Sequence, residues 1–299
     1  MFAAAWGAVK LPNLRYIGLR MNARAFIGTS GYSYKSWDKT FYGDTPKKLQ
    51  LEYYTTQFPT VEINATFYRL PSESMVRGWR DRVDPDFRYA LKGSRFITHM
   101  KKLANLDGAL DNYFDHIALL QERVAIILWQ LPPMLKKDLS RLNDFLALLP
   151  KSYRHAVEFR HGSWYEDDTF DLLLKHNASH VALSSGGMPM NLTATSDIIY
   201  IRFHGLEGGA AHDYKRKELE PWADYICDQA EKGRTLYIYF NNDINVRAPD
   251  NAKMLMEMVG EHAAYPRNAG RFSLPRRTEQ NVPRSQRLHK SRRSTAVTR

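Results

Sequence analysis

Three charged residues stand inside otherwise apolar runs. Glu62 lies between Val61 and Ile63, Glu158 between Val157 and Phe159, and Arg202 between Ile201 and Phe203. A buried charge is costly unless it is paired, so these side chains are expected to meet partners in one enclosed place. Two carboxylates that share a site suit general acid–base chemistry, because one raises the pKa of the other. His204, two residues after Arg202, adds a group that can transfer a proton or bind a metal. Glu62, Glu158 and His204 are therefore the catalytic candidates. Lys92, Arg95, Arg160 and Arg202 are cations suited to phosphate or carboxylate oxygens. Tyr32, Tyr68 and Trp164 can stack on a planar ring. Asn64, Gln130, Asn241 and Asp243 complete the substrate-binding candidates.

The competing interpretation is a closed ion-pair network, such as Glu158 with Arg202, that holds no ligand. The two differ in a measurable way. Removing Arg202 from a closed pair costs about 3–5 kcal/mol, whereas beside a solvated pocket the loss is about 1 kcal/mol or less. Polar residues at the exits of most strand-like runs favour the pocket, since a core built only for stability is apolar there. The solvated outcome is expected for Arg202.

Several chemistries are excluded. The chain has no G-x-S-x-G elbow, no H-E-x-x-H and no phosphate-binding P-loop. Cys227 is the single cysteine, so neither an intramolecular disulfide nor a zinc site with two thiolates can form. His204, Glu62 and Glu158 are scattered ligands without a metal motif. No metal and no cofactor are expected.

The elements that must position these residues alternate. Strand-like runs fall at Ala25–Thr29, Thr60–Thr66, Phe87–Leu91, Val124–Trp129, His155–Phe159, His180–Ser184, Ile198–Phe203 and Thr235–Phe240. Most are continuous Val, Ile, Leu and aromatic stretches, as expected of parallel strands covered on both faces. Helical patterns lie between them at Pro46–Phe58, Ser72–Val83, Leu110–Arg123, Asp138–Leu149, Asp168–His176, Glu218–Lys232 and Pro249–Val259. Only Ser185–Asp197, polar and broken by glycine and proline, reads as a loop. The pattern predicts an α/β protein, a TIM-barrel-like (β/α)8 barrel with the helix between the sixth and seventh strands reduced to a loop. An open doubly wound sheet is the rival, but Gly28-Thr-Ser-Gly31 is not its G-x-G-x-x-G fingerprint. In a barrel the chemistry is built at the C-terminal strand ends, where the candidates lie.

The net charge of +11 belongs to the ends. Residues 1–20 hold three basic residues and no acid, residues 261–299 hold ten basic against two acidic, and residues 21–260 hold thirty of each. The core gives no reason on charge alone to expect a polyanion. The expected organisation is an N-terminal extension over 1–23, a barrel over 24–260 and a basic disordered tail over 261–299. Met21 precedes the first strand by four residues, and residues 1–20 are taken as an upstream extension. No apolar run approaches the ~20 residues that span a bilayer. No membrane association and a reducing cytoplasm are expected.

Several motifs occur together in order: Gly28-Thr-Ser-Gly31-Tyr32, Phe67-Tyr-Arg-Leu-Pro71, Ala90-Leu-Lys-Gly-Ser-Arg-Phe-Ile-Thr-His99, Leu128-Trp-Gln-Leu-Pro-Pro133, Val157-Glu-Phe-Arg-His161 with Ser163-Trp164, Arg202-Phe-His-Gly205 and Tyr239-Phe-Asn-Asn-Asp243. Over about residues 24–260 the chain resembles the DUF72 family, the YecE-like proteins. The resemblance implies a TIM-barrel-like fold and a bacterial-type cytoplasmic protein, without supplying a reaction. Some members have been likened to barrel phosphodiesterases such as endonuclease IV, a likeness of fold alone, and the His-rich metal cluster of such enzymes is not evident. One departure is Asn245-Val-Arg-Ala248, where the family pattern leads one to expect glycine.

The expectation is an enzyme acting on a small anionic substrate, phosphorylated or nucleotide-like. The alternative is a non-catalytic binding protein for nucleic acid or a phosphorylated metabolite. Oligomeric state is not readable.

Overall fold

The computed structural model describes residues 24–273. Eight parallel strands close into a barrel in chain order: β1 Ala25–Ser30, β2 Thr60–Ile63, β3 Arg88–Lys92, β4 Val124–Gln130, β5 His155–Glu158, β6 Ser179–Ser185, β7 Ile198–Gly205 and β8 Thr235–Phe240. β8 returns to pair with β1, placing Ile238 opposite Ile27. Helices alternate with the strands as expected, and Ser72 and Asp138 cap two of them by accepting the backbone N–H of Met75 and Arg141. No helix joins β6 to β7. Among the described residues no helix is long and apolar enough to cross a membrane.

Period-two alternation divides each strand between two cores. Ile126, Leu128, Val181, Leu183, Tyr200 and Tyr239 pack inside the barrel. Ile127, Trp129, Val157, Ile201 and Phe203 pack outward, between strands and helices. Gly28 is needed inside, where a Cβ would sit 2.2 Å from the Thr60 carbonyl oxygen. The same alternation turns Ser30, Glu62, Lys92, Glu158, Arg202 and His204 inward, near the C-terminal ends.

Three expectations change. β2 stops at Ile63, and a helical turn, Ala65–Tyr68, follows. Thr66 therefore leaves the inward face and donates to the Lys92 carbonyl, 2.7 Å away. Second, packing does not end at residue 260. Ala263 bridges to Ala25, the Ala264 N–H donates to the Ala25 carbonyl at 2.9 Å, and both alanines are buried. Further on, Arg267 pairs with Asp86 and the Phe272 ring packs edge-on against Tyr53. Apolar residues this sparse leave no periodic signal, and the packed chain runs past the boundary expected at 261. The expectations for 1–23 and 274–299 lie outside the described residues. Third, the loop after β8 makes its left-handed turn without glycine, since Asn245 and Val246 both have φ of 61°. That region disfavours a β-branched residue, so Val246 is held there at a cost.

Candidate functional site at the barrel mouth

Arg202 is the hub of the inward-facing polar residues. Its Nη1 donates to Glu158 Oε2 and its Nη2 to Glu62 Oε1, each at 2.6 Å. Glu62 also accepts from the Ser30 hydroxyl and, at 2.6 Å, from the Tyr200 hydroxyl. Glu158 also accepts from Arg160 Nε. Arg202 is 1% exposed, and both glutamates are fully buried. These three side chains come together as expected, but they form a closed floor below the mouth rather than a surface open to a ligand. That corrects the placement of Arg202 as a direct substrate contact.

The electrostatics follow from this geometry. Burial pushes the pKa of Glu62 up, but Arg202, Lys92 and the hydrogen bonds from Ser30 and Tyr200 outweigh it and hold the carboxyl below its usual range. Burial likewise acts on Glu158, and Arg202 and then Arg160 overcome it by a wide margin. Arg202 is driven the other way, its charge held by the two glutamates against the cost of burial. Both carboxylates therefore stay ionised at neutral pH. Neither carries the proton a general acid needs, and the pairing with Arg202 occupies the lone pairs a base would use.

His204 is also fixed. Its Nε2 faces Arg160 Nη2 at 2.7 Å and Arg202 Nη1 at 3.2 Å. Arginine only donates, so Nε2 accepts and the imidazole proton sits on Nδ1. The Asn241 amide nitrogen lies 3.0 Å from Nδ1, so Asn241 accepts the Nδ1 hydrogen bond only with its amide turned to bring the oxygen to the ring. Burial, with Arg202 next, pushes the His204 pKa down to about 4. The ring is a neutral spacer between two arginines. Gly205 follows at φ +88°, and a Cβ there would sit 1.7 Å from the Gly209 carbonyl oxygen, so glycine sets the exit of β7.

Above this floor lie the less committed groups. Arg160 retains Nη1, and its side chain is 23% exposed. The Lys92 ammonium sits 4.4 Å from the centre of the Phe67 ring. Burial, then the nearby Arg202, lowers its pKa to about 8. No carboxylate lies within ion-pair distance of it among the described residues. Asn64 donates to the Ser30 hydroxyl at 3.0 Å. Gln130 ends β4 opposite Glu158. Asp243 is half-buried, and burial raises its pKa.

Four sequence-derived candidates lie elsewhere. Trp164 is 1% exposed, stacks on Phe159 with centroids 4.8 Å apart, and donates its indole N–H to the Leu135 carbonyl. It belongs to the outer core, because β5 ends at Glu158 and the chain then turns away. Tyr32 lies past the end of β1, and its side chain faces Tyr54, Trp79 and Arg82. Arg95 is exposed on the turn after β3, and Tyr68 is 67% exposed at the rim. Ser30, Tyr200 and Tyr34 were missed. The Tyr34 hydroxyl donates to the Ser30 carbonyl at 2.5 Å, and its side chain faces Asp243 and Glu62. Alternation from Arg202 and from Gly28 marks Tyr200 and Ser30; nothing in the sequence marks Tyr34.

His204 and the glutamates lie together, but their donor atoms face arginine N–H groups. Among the described residues no group of three or more His, Cys, Asp or Glu is placed to hold a metal ion. A cleft of about 230 Å³ opens at the opposite end of the barrel, between Arg24, Phe26, Arg88 and the segment Ala264–Asn268, away from the mouth.

The family described as "protein of unknown function DUF72" matches residues 26–275. The chain belongs to the DUF72 family. The UPF0759 protein YunF of Bacillus subtilis is 23% identical over 268 residues, covering 78% of this chain and 94% of YunF. The UPF0759 protein YecE of Escherichia coli K12 is 30% identical over 141 residues, 47% of this chain and 50% of YecE. A DUF72 family crystal structure from Thermotoga maritima superposes with a TM-score of 0.71 at 27% identity, over 79% of this chain and 99% of that one. A second, from Enterococcus faecalis, gives 0.69 at 18% identity over 79% and 95%. The matched range, residues 26–275, includes every residue named above at the mouth.

Proposed function

We propose that the mouth of this DUF72 barrel is the anion-binding site of an enzyme acting on a phosphorylated substrate. The observation that carries the reading is Lys92. Below it, the charges of Arg202 and Arg160 are matched by Glu62 and Glu158. Lys92 is an additional inward cation with no carboxylate partner, and Arg160 lends a free Nη1 beside it. A phosphate or carboxylate bound there gains charge-assisted hydrogen bonds without stripping either arginine from its glutamate.

The acid–base role assigned to Glu62 and Glu158 passes to less committed groups. Lys92, at about 8, can change charge near neutrality and is the candidate acid. Asp243, whose pKa burial raises above the usual aspartate value, is the candidate base. The glutamates and His204 become positioning residues that hold Arg160 and Arg202 still.

A non-catalytic nucleic-acid binder draws support from the rim, where Phe96 is exposed and Lys101 stands 5.6 Å from its ring centre. Calorimetric titration with inorganic phosphate and with a single-stranded oligonucleotide separates the two. Phosphate binding lost in Lys92→Met supports the enzyme pocket. Oligonucleotide binding that depends on Phe96 and Lys101 instead supports the rim.

A further inference from the structure

Lys92 stands at the inner end of a row of rings that leads out to the rim. Its ammonium, at the end of β3, sits 4.4 Å from the centre of the Phe67 ring. Phe67 in turn meets Tyr68 edge-on, with centroids 5.0 Å apart, and His99 edge-on at the same distance. Phe67 is 9% exposed and Tyr68 is 67% exposed. The row therefore runs from an inward cation to an open ring.

Local structure fixes this row in place. The turn Ala65–Tyr68 is tied to β3 by Thr66, which is fully buried and donates its hydroxyl to the Lys92 carbonyl at 2.7 Å. The helical turn Phe96–Met100 is held by Thr98, also fully buried, whose hydroxyl donates to the Ser94 carbonyl at 3.2 Å and lies 2.9 Å from His99 Nδ1. The rings thus hold their positions beside Lys92 before any ligand arrives, which lowers the ordering cost of binding. Tyr68 itself adds little to the core. Phe96 and Met100, on the loop after β3, are exposed with it and widen the apolar border.

An anion on Lys92 and a planar ring on Tyr68 are separated by two contacts, of 4.4 and 5.0 Å. A ribose spans such a gap between a base and its 5′-phosphate. Stacking on an exposed aromatic ring suits a base, because every base offers a π-face. Resting on the anion-pocket reading, we infer that the phosphorylated substrate is a nucleoside 5′-monophosphate, with its phosphate on Lys92 and its base stacked on Tyr68.

The test is calorimetric titration of the full chain with inorganic phosphate, ribose 5-phosphate and adenosine 5′-monophosphate. The last is ribose 5-phosphate carrying a base, so the comparison isolates the base. Adenosine 5′-monophosphate is expected to bind about tenfold or more tighter than ribose 5-phosphate. Tyr68→Ala should abolish that gain while leaving inorganic phosphate and ribose 5-phosphate binding unchanged, and Tyr68→Phe, which keeps the ring, should retain it. Equal binding of the two ribose compounds by the wild type would overturn the inference, as would a gain that survives in Tyr68→Ala. In both cases binding of inorganic phosphate leaves the anion pocket standing. Failure of all three probes to bind would instead remove the pocket, and the inference with it.

Discussion

The Nη1 of Arg202 lies 2.6 Å from Oε2 of Glu158, joining β7 to β5 inside the barrel, with neither side chain more than 1% exposed. Glu62 repeats the contact on the other guanidinium nitrogen at the same distance. A pair this dry cannot be relieved by water when one member is removed. Arg202→Ala is therefore expected to cost about 3–5 kcal/mol, which reverses the expectation from sequence of a solvated pocket residue. Denaturant unfolding measures it. A loss near 1 kcal/mol would show that water reaches the glutamates.

The charges of this floor were legible because Glu62, Glu158 and Arg202 interrupt apolar strands, and alternation then turns them to one side. The barrel was legible for the same reason: eight apolar runs with helical patterns between them. Alternation ceases where a strand ends. Trp164 and Tyr32 lie past the ends of β5 and β1, where spacing no longer says which way a ring points, and both turn outward. Tyr200 reads as one more apolar residue in Ile198–Phe203, although its hydroxyl binds Glu62. Partnership was the least legible property. Nothing in the spacing tells that Arg202 is spent on two glutamates while Lys92 is free.

Acid should destabilise the fold before the carboxylates titrate. Burial lowers His204, His155 and His180 to about 4 in the folded state, against ~6.5 when unfolded. As pH falls below 6.5 the unfolded chain takes up protons that the folded chain refuses. The histidine contribution is therefore complete above about 6.5 and is lost as pH falls toward 4. Glu62 and Glu158, whose pKa values are depressed, extend the loss below their unfolded value of ~4.3. Unfolding free energies at pH 7, 6 and 5 check this, and a flat profile over that range would contradict it. His180, packed among Phe159, Tyr165 and Phe170, permits a second arm. His180→Phe should make the profile less steep.

The segment after residue 260 should contribute to stability. Ala263 and Ala264 bring buried surface and a backbone hydrogen bond to β1, and Phe272 covers Tyr53. A chain ending at 260 is expected to melt about 5 °C or more below one ending at 273, as a loss of ~2 kcal/mol does in a domain of this size. Equal melting temperatures would show that the segment adds nothing.

Replacing Glu158 should loosen the mouth as well as the floor. Glu158→Gln keeps the shape but removes the charge that holds Arg160 and Arg202. Two arginines then share the uncharged His204 with no compensating anion but Glu62. We expect a stability loss of roughly 3 kcal/mol or more, together with tighter binding of inorganic phosphate, because Arg160 is released. Weaker phosphate binding in a folded Glu158→Gln protein would show that the pairing with Glu158 aids anion capture.

The most direct test of the anion pocket is the pH dependence of phosphate binding, followed by calorimetry in wild type and in Lys92→Met. The Lys92 pKa of about 8 places its charge loss within reach of ordinary buffers. The wild type is expected to bind phosphate at pH 7 and to weaken as pH rises through 8. Lys92→Met should bind about tenfold or more weakly at pH 7, with that alkaline loss gone. Phosphate affinity that is absent in the wild type, or unchanged in Lys92→Met, would contradict the account.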